Sequence, residues 1–158
     1  MNGRPRLRAP TSADYQAIAA WIPDAQAAHR WAGPLLPFPF SAAELPALLA
    51  MPDGGKSSYC LEDGAGALRG FGQHWVIHPG AVHLGRIIVA PGMRGTGMGR
   101  ALCELLISAA LEATRARTVT LRVYRDNLPA VRLYQSLGFS EYDTAPGSEV
   151  LAMQAQFE

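Results

Sequence analysis

Cysteine is scarce in this 158-residue chain, with Cys60 and Cys103 the two present. Two cysteines make a poor disulfide framework, and each sits where a small buried hydrophobe is expected. Charge is also sparse, at 17% of residues, and nearly balanced, with a formal net charge of +1. That balance gives no basis for binding nucleic acid or an anionic membrane. No stretch reaches the roughly 20 apolar residues that span a bilayer, and the basic Arg4-Pro5-Arg6 start leads into no long apolar run of a secretory signal. Repeats and low-complexity segments are lacking too. The expectation is a reduced, cytoplasmic protein forming a single domain over residues 1–158, with 49% hydrophobic residues for one core. A homodimer is compatible with this composition.

Glycine and proline, 16 and 12 residues, divide the chain into short elements. Arg6–Arg8 reads as a first strand. Thr11 or Ser12 caps a helix that runs through Trp21, with Asp14 in its first turn, and Pro23 stops it. Residues 31–40 hold three prolines and three aromatics and read as an ordered loop. Ser41 and Glu44 have capping-box spacing for a helix over 42–50. Ser57–Glu62 and Leu68–Ile77 form a hairpin across Asp63–Gly66, and Val82–Val89 is the next strand. Gly97–Thr114 carries Met98, Leu102, Leu105, Leu106 and Ala109 on one helical stripe. Thr118–Tyr124 alternates as a strand. Asp126 or Asn127 caps a short helix with Pro129 in its first turn, Ala130, Leu133, Tyr134 and Leu137 on its inner face, and Gly138 at its end. Strands around Phe139–Asp143 and Glu149–Phe157 finish the chain. The fold class is α/β, a mixed central β-sheet flanked by helices in one domain.

The most informative segment is Val89-Ala-Pro-Gly-Met-Arg-Gly-Thr-Gly-Met-Gly-Arg100, which joins an apolar strand to the start of the longest helix. Free N–H groups and the positive end of the helix dipole meet there, which suits a phosphate. Gly95, Gly97 and Gly99 remove side chains that would hold an anion away, and Arg94 and Arg100 add positive charge. The spacing Gly95-x-Gly97-x-Gly99 does not fit the dinucleotide fingerprint Gly-x-Gly-x-x-Gly.

Arg94-Gly-Thr-Gly-Met-Gly99 resembles the Arg/Gln-x-x-Gly-x-Gly/Ala signature of the GNAT superfamily of acyl-CoA-dependent N-acetyltransferases. The likeness extends to Ile87-Ile-Val-Ala-Pro91 upstream and to Asn127 with Ala130-Val-Arg-Leu-Tyr-Gln-Ser-Leu-Gly-Phe139 downstream, so that it covers nearly the whole chain. The resemblance implies a GNAT-like fold, acetyl-CoA as co-substrate and transfer of acetyl to an amine. It implies that backbone groups of Ile87, Ile88 and Val89 pair with the pantetheine arm as an added strand, with the Val89 N–H facing the acetyl carbonyl. Amides of Arg94, Gly95, Thr96, Gly97, Met98, Gly99 and Arg100 would hold the pyrophosphate. Asn127 corresponds to a position that touches the CoA arm, although it equally serves as a helix cap. Tyr134 corresponds to the proton donor for the departing thiolate; its spacing also suits a core aromatic.

The chain departs from the family over the base. Many relatives carry a glutamate on the strand before the glycine-rich turn or on the next one, whereas Val82–Val89 and Thr118–Tyr124 contain no acid. A lysine-type amine, with a pKa of about 10.4, is mostly charged at neutral pH. His83 is the nearest candidate base, His74 the second, and water relayed by backbone carbonyls the alternative. His74, His78 and His83 have no acid or cysteine at ligand spacing, so no metal is expected. Trp31, Phe38 and Phe40 are candidates to line an acceptor pocket, with Glu44 or Asp53 to hold an ammonium. Direct transfer to a primary amine is the leading reading. A non-catalytic acyl-CoA-binding module, or an enzyme acting on protein N-termini, is the alternative.

Overall fold

A computed structural model describes residues 3–53 and 56–158. Its strands are β1 (Gly3–Arg8), β2 (Ser58–Gly64), β3 (Leu68–His78), β4 (Ala81–Val89), β5 (Thr118–Tyr124), β6 (Ser140–Glu141) and β7 (Val150–Gln156). The helices are α1 (Ser12–Ala20), α2 (Ala25–Ala32), α3 (Leu45–Leu48), α4 (Met98–Thr114) and α5 (Leu128–Ser136). Among the described residues the strands form one sheet in the order β1-β2-β3-β4-β5-β7-β6. Every neighbouring pair is antiparallel except β4 and β5, which run parallel. The mixed sheet flanked by helices bears out the α/β reading. No described helix is long and apolar enough to cross a membrane.

Each face of the sheet is covered by its own helices. On one face, Ile18, Ile22 and Ala28 of α1, its end and α2 join Leu45 and Leu49 around Phe71 and Ile88 of the central strands. On the other, Leu106, Ile107 and Ala110 of α4 pack with Val82, Leu84, Val119 and Leu121. Helix α4 lies close to β3 because two strand positions lack side chains. A Cβ at Gly72 would stand 2.7 Å from Leu106 Cδ2, and one at Gly70 3.0 Å from Leu102 Cδ2. The leucines therefore seat directly on backbone, and burying each is worth about 1.5–3 kcal/mol.

Three local expectations need correction. Trp31 and Ala32 belong to α2, so the proline-rich loop spans 33–40 rather than 31–40. Asp24 starts that helix by accepting the Ala27 N–H at 2.8 Å, and Gly33, at φ +83°, ends it by donating to His29 O. The Ser41–Glu44 capping box forms, yet only Leu45–Leu48 of the expected 42–50 helix is helical. Pro46 has no N–H to offer Ala42, so the chain before it closes as tight turns. The strand expected over Phe139–Asp143 is regular only at Ser140–Glu141, because Asp143 at φ +45° turns the chain away.

An ionic knot ties the sheet edge to the first helix. Asp14 is 5% exposed and takes both ends of the Arg8 guanidinium, at 2.6 and 2.9 Å, while also accepting the Thr11 N–H at 2.7 Å. Glu62 on β2 accepts Arg8 Nε at 2.7 Å and a further bond from Arg6. Bonding to Arg8 holds the Asp14 carboxyl at about 2, below its ordinary 3.8, against the opposing effect of burial. A depressed carboxyl stabilises the fold above its unfolded pKa and loses that contribution as pH falls through the folded one. Asp14→Ala is expected to lower unfolding stability by about 2 kcal/mol at pH 7 in urea titrations. The difference from the parent should shrink as pH is lowered from 4 towards 2.

Candidate functional site

The site originates in a break between two strands. β4 and β5 pair only at Ala81–Thr118, Val82–Val119 and His83–Thr120. Beyond that point β5 stays with β7 through Tyr124–Val150, while β4 stays with β3 up to Val89–Gly70. A bulge helps part them: Phe71 faces Ile88 but Gln73 faces Gly85, so β4 carries one extra residue there, and Arg86 sits at φ +52°. Ala90 donates to Arg69 O at 2.9 Å. By the antiparallel alternation, Ile88 then also faces β3, whereas the Val89 N–H points to the edge that β5 has left.

A cleft of about 420 Å³ fills this gap. Helix α2 roofs one side, where Trp31 Nε1 donates to Arg86 O at 2.8 Å, so the indole grips the bulge itself. Arg30 reaches from the same helix over the Tyr124 ring, 4.1 Å from its centroid, and pairs with Asp126 at 2.6 Å. On the floor, the Trp75 ring covers Gly85, where an added Cβ would lie 2.3 Å from the indole. His83 stacks beside Trp75 at 5.0 Å, with Nδ1 2.7 Å from Thr120 Oγ1. Burial, and secondarily the Arg122 charge, push the His83 imidazole down to about 4, so it is neutral at pH 7. Arg86, half-buried, donates to Gln73 Oε1 at 2.8 Å, and Gln73 is held by Leu49 O and Ser58 Oγ.

The glycine-rich turn lies where β4 ends. A single turn of 3-10 helix at Pro91–Met93 leads through Arg94 to Gly95 at φ +78° and Gly97 at φ +88°, and Gly97 is the N-cap of α4. Both angles are in the left-handed region that favours glycine. Gly97 has no side chain with which to cap the helix. The segment Arg94–Gly97 is solvent-exposed, which leaves the helix start open to an anion. Arg100, one turn in, donates to Ser136 Oγ on α5.

Helix α5 supplies the remaining side chains. Asn127 caps it, Oδ1 accepting the Ala130 N–H at 3.4 Å, and also lines the cleft. Tyr134 is 8% exposed, lines the cleft, and shares its core cluster with Cys103 of α4. Burial, then the neighbouring thiol, hold the phenol above its usual range, so it is protonated. Burial pushes the Cys103 thiol up to about 12.

The structure thus gathers Trp31, His83, Ile87, Asn127 and Tyr134 around one cleft. It does not bring the other acceptor candidates there. Phe38 and Phe40 pack on each other at 5.8 Å, Phe40 also against the α1–α3 core. The Glu44 carboxylate is engaged by Ser41, and Asp53 is not part of the cleft wall. His74 is buried against Tyr59, 3.0 Å from its hydroxyl. It precedes Trp75 on β3 while His83 pairs with Trp75, so the two histidines occupy opposite sheet faces and cannot share an ion. No group of metal-binding side chains occurs among the described residues. His29, Arg30, Trp75, Arg86, Arg122 and Tyr124 line the cleft without having been singled out in the sequence. The Asp24 cap would have revealed α2 and so its two members; nothing local marks the others.

Residues 25–139 match the Acetyltransferase (GNAT) family. The mycothiol acetyltransferase of Actinosynnema mirum is 42% identical over 84 residues, 51% of this chain and 27% of that protein. The chain therefore spans about a quarter of that curated relative's length. A GCN5-related N-acetyltransferase from Kribbella flavida superposes with a TM-score of 0.77 at 24% identity, over 97% of this chain and 98% of that one. Spermidine N-acetyltransferase from Vibrio cholerae, in complex with CoA and spermine, does so with a TM-score of 0.78 at 22% identity, over 98% and 96%. At these identities the structural likeness is one of fold.

His83 is expected to titrate with a midpoint of about 4 in histidine-resolved NMR. Arg122→Gln should raise that midpoint yet leave it below the ordinary 6.5, because burial is the larger cause.

Proposed function

This chain belongs to the acetyltransferase (GNAT) family, and we propose that it transfers an acetyl group from acetyl-CoA to a small primary amine by direct attack, both substrates being held at once. One observation carries this reading. The gap between β4 and β5 runs from the open glycine turn at one end to a side-chain-lined cleft at the other, with Tyr134 on its wall. An extended pantetheine arm fits the free edge of β4 as an added strand beside Ile87–Val89. Its pyrophosphate would meet the amides and charges of Arg94–Arg100. Asn127 stands where it can both cap α5 and touch the arm.

The Val89 N–H, turned into the gap, is a donor to the acetyl oxygen as negative charge develops there. His83, neutral at pH 7 and anchored through Nδ1 by Thr120, serves as a weak base, and the proton it takes passes on to water because burial and Arg122 oppose its staying. As nitrogen bonds to the acetyl carbon and the carbon–sulfur bond breaks, Tyr134 gives its proton to the sulfur. A thiol titrates near about 8.5 in water and a phenol near about 10. Burial raises the Tyr134 phenol, so it keeps its proton until the thiolate departs. A covalent acetyl-cysteine route has no support: the Cys103 thiol, near 12, carries no thiolate at neutral pH. The cleft volume of about 420 Å³ suits a small acceptor better than a polypeptide. The reaction belongs in the cytoplasm, where both buried thiols stay reduced.

A non-catalytic acyl-CoA binder is the competing reading, favoured by the lack of any carboxylate on the cleft wall among the described residues. The two differ in a thiol-release assay with an amine panel. For the enzyme, initial rates with both substrates varied should give intersecting rather than parallel lines. Tyr134→Phe should lower kcat by about 100-fold while acetyl-CoA still raises the melting temperature as it does for the parent. CoA binding without turnover would favour the binder, and no thermal shift with saturating acetyl-CoA would overturn both.

A further inference from the structure

The side of the cleft away from α5 is cationic, and its charges are unequally spent. Arg30 is neutralised by its bond to Asp126 at the rim. Arg86 is not: among the described residues its one hydrogen-bond partner is the neutral Gln73 Oε1, which leaves most of its five N–H donors to other partners. Its position is nonetheless fixed, because the bulge sets the backbone, Trp31 holds its carbonyl, and the Trp75 ring lies 5.6 Å from the guanidinium. Arg122, on β5, lines the same cleft and makes no ion pair among the described residues. Among the described residues no aspartate or glutamate lines this cleft. One acid, Asp143, lines an adjoining hollow that shares Trp75, His83 and Arg122.

We propose that the acceptor is a small amine that also bears an anionic group, a carboxylate or phosphate, bound by Arg86 and Arg122 across the gap between β4 and β5. Two guanidinium groups, one half-buried, offer the planar donor pairs that such anions match, and a polycation finds no counter-charge on this wall. The same arrangement addresses the missing acid. With a carboxylate bound, the two guanidinium groups still leave one net positive charge near the reacting amine, which disfavours its ammonium form and makes a smaller demand on His83. A protein carboxylate in their place would do the reverse.

This inference rests on the acetyl-CoA reading, and product binding tests it without requiring turnover. The full chain saturated with CoA is titrated calorimetrically with N-acetyl-β-alanine, its primary amide, N-acetylethanolamine phosphate and N-acetylputrescine. At least one of the two anionic products should bind about 10-fold or more tightly than the neutral amide, and which of them does so distinguishes carboxylate from phosphate. N-acetylputrescine, whose ammonium only Asp143 could hold, should bind weakest. Arg122→Gln, at an exposed position, and Arg86→Gln should each bring the anion-to-amide ratio below about 3 without weakening the amide. Circular dichroism checks that both variants fold. Equal or weaker binding of both anionic products, tightest binding of N-acetylputrescine, no binding by any product, or a ratio untouched by either substitution overturns the inference alone. Failure of CoA itself to bind overturns the acetyl-CoA reading with it.

Discussion

The parting of β4 from β5 after three paired residues is the constraint on which the site depends. A parallel pair in the middle of a sheet ordinarily continues, because every unmade backbone bond leaves polar groups unpaired. Here each strand is committed elsewhere, β4 to β3 and β5 to β7, and the extra residue at the Arg86 bulge turns β4 aside. The free edge that results is both the opening in the sheet and a row of backbone donors and acceptors that β5 leaves unpaired. Trp31 adds a lock, since its indole bonds the carbonyl of the bulged residue.

The two faces of the sheet divide the labour. Helix α4 and its leucines, pressed onto Gly70 and Gly72, fix the direction in which the glycine turn points its amides. Helices α1–α3 occupy the opposite face, and α2 brings Arg30 and Trp31 over the cleft. The Arg8–Asp14–Glu62 knot binds α1 to the edge strands, far from the chemistry, and steadies the layer from which α2 departs. The glycine turn is poorly capped and exposed at Gly95 and Gly97, while the positions that support it are buried.

Electrostatics within the cleft follow from who has a partner. Asp126 cancels Arg30, whereas Arg86 and Arg122 face the space unpaired by any acid among the described residues. His83, between Trp75 and Arg122, stays neutral because burial and that nearby charge both oppose protonation. Tyr134 is kept protonated by the same exclusion of water. The cleft is therefore a place where proton positions are set by burial first and by neighbours second.

Much of the scaffold was legible in the residues. Period-2 alternation marked β5, helical spacing marked α4, and closely spaced glycines marked the turn between β4 and α4, because these signals come from interactions within a few residues of each other. The class of the protein followed from the resemblance of the glycine-rich and Asn127–Phe139 segments to the motifs of the GNAT family. Helix α2 escapes the sequence reading, although Asp24 caps it and its apolar residues share one face, because its eight residues make only about two turns beside a proline-rich loop. Cleft membership was a different matter. That Arg86, Trp75 and Arg122 meet, and that Glu44 and Asp53 stay away, depends on a one-residue bulge and on strand register. Both are set by pairing between segments distant along the chain, so only the tertiary structure decided them.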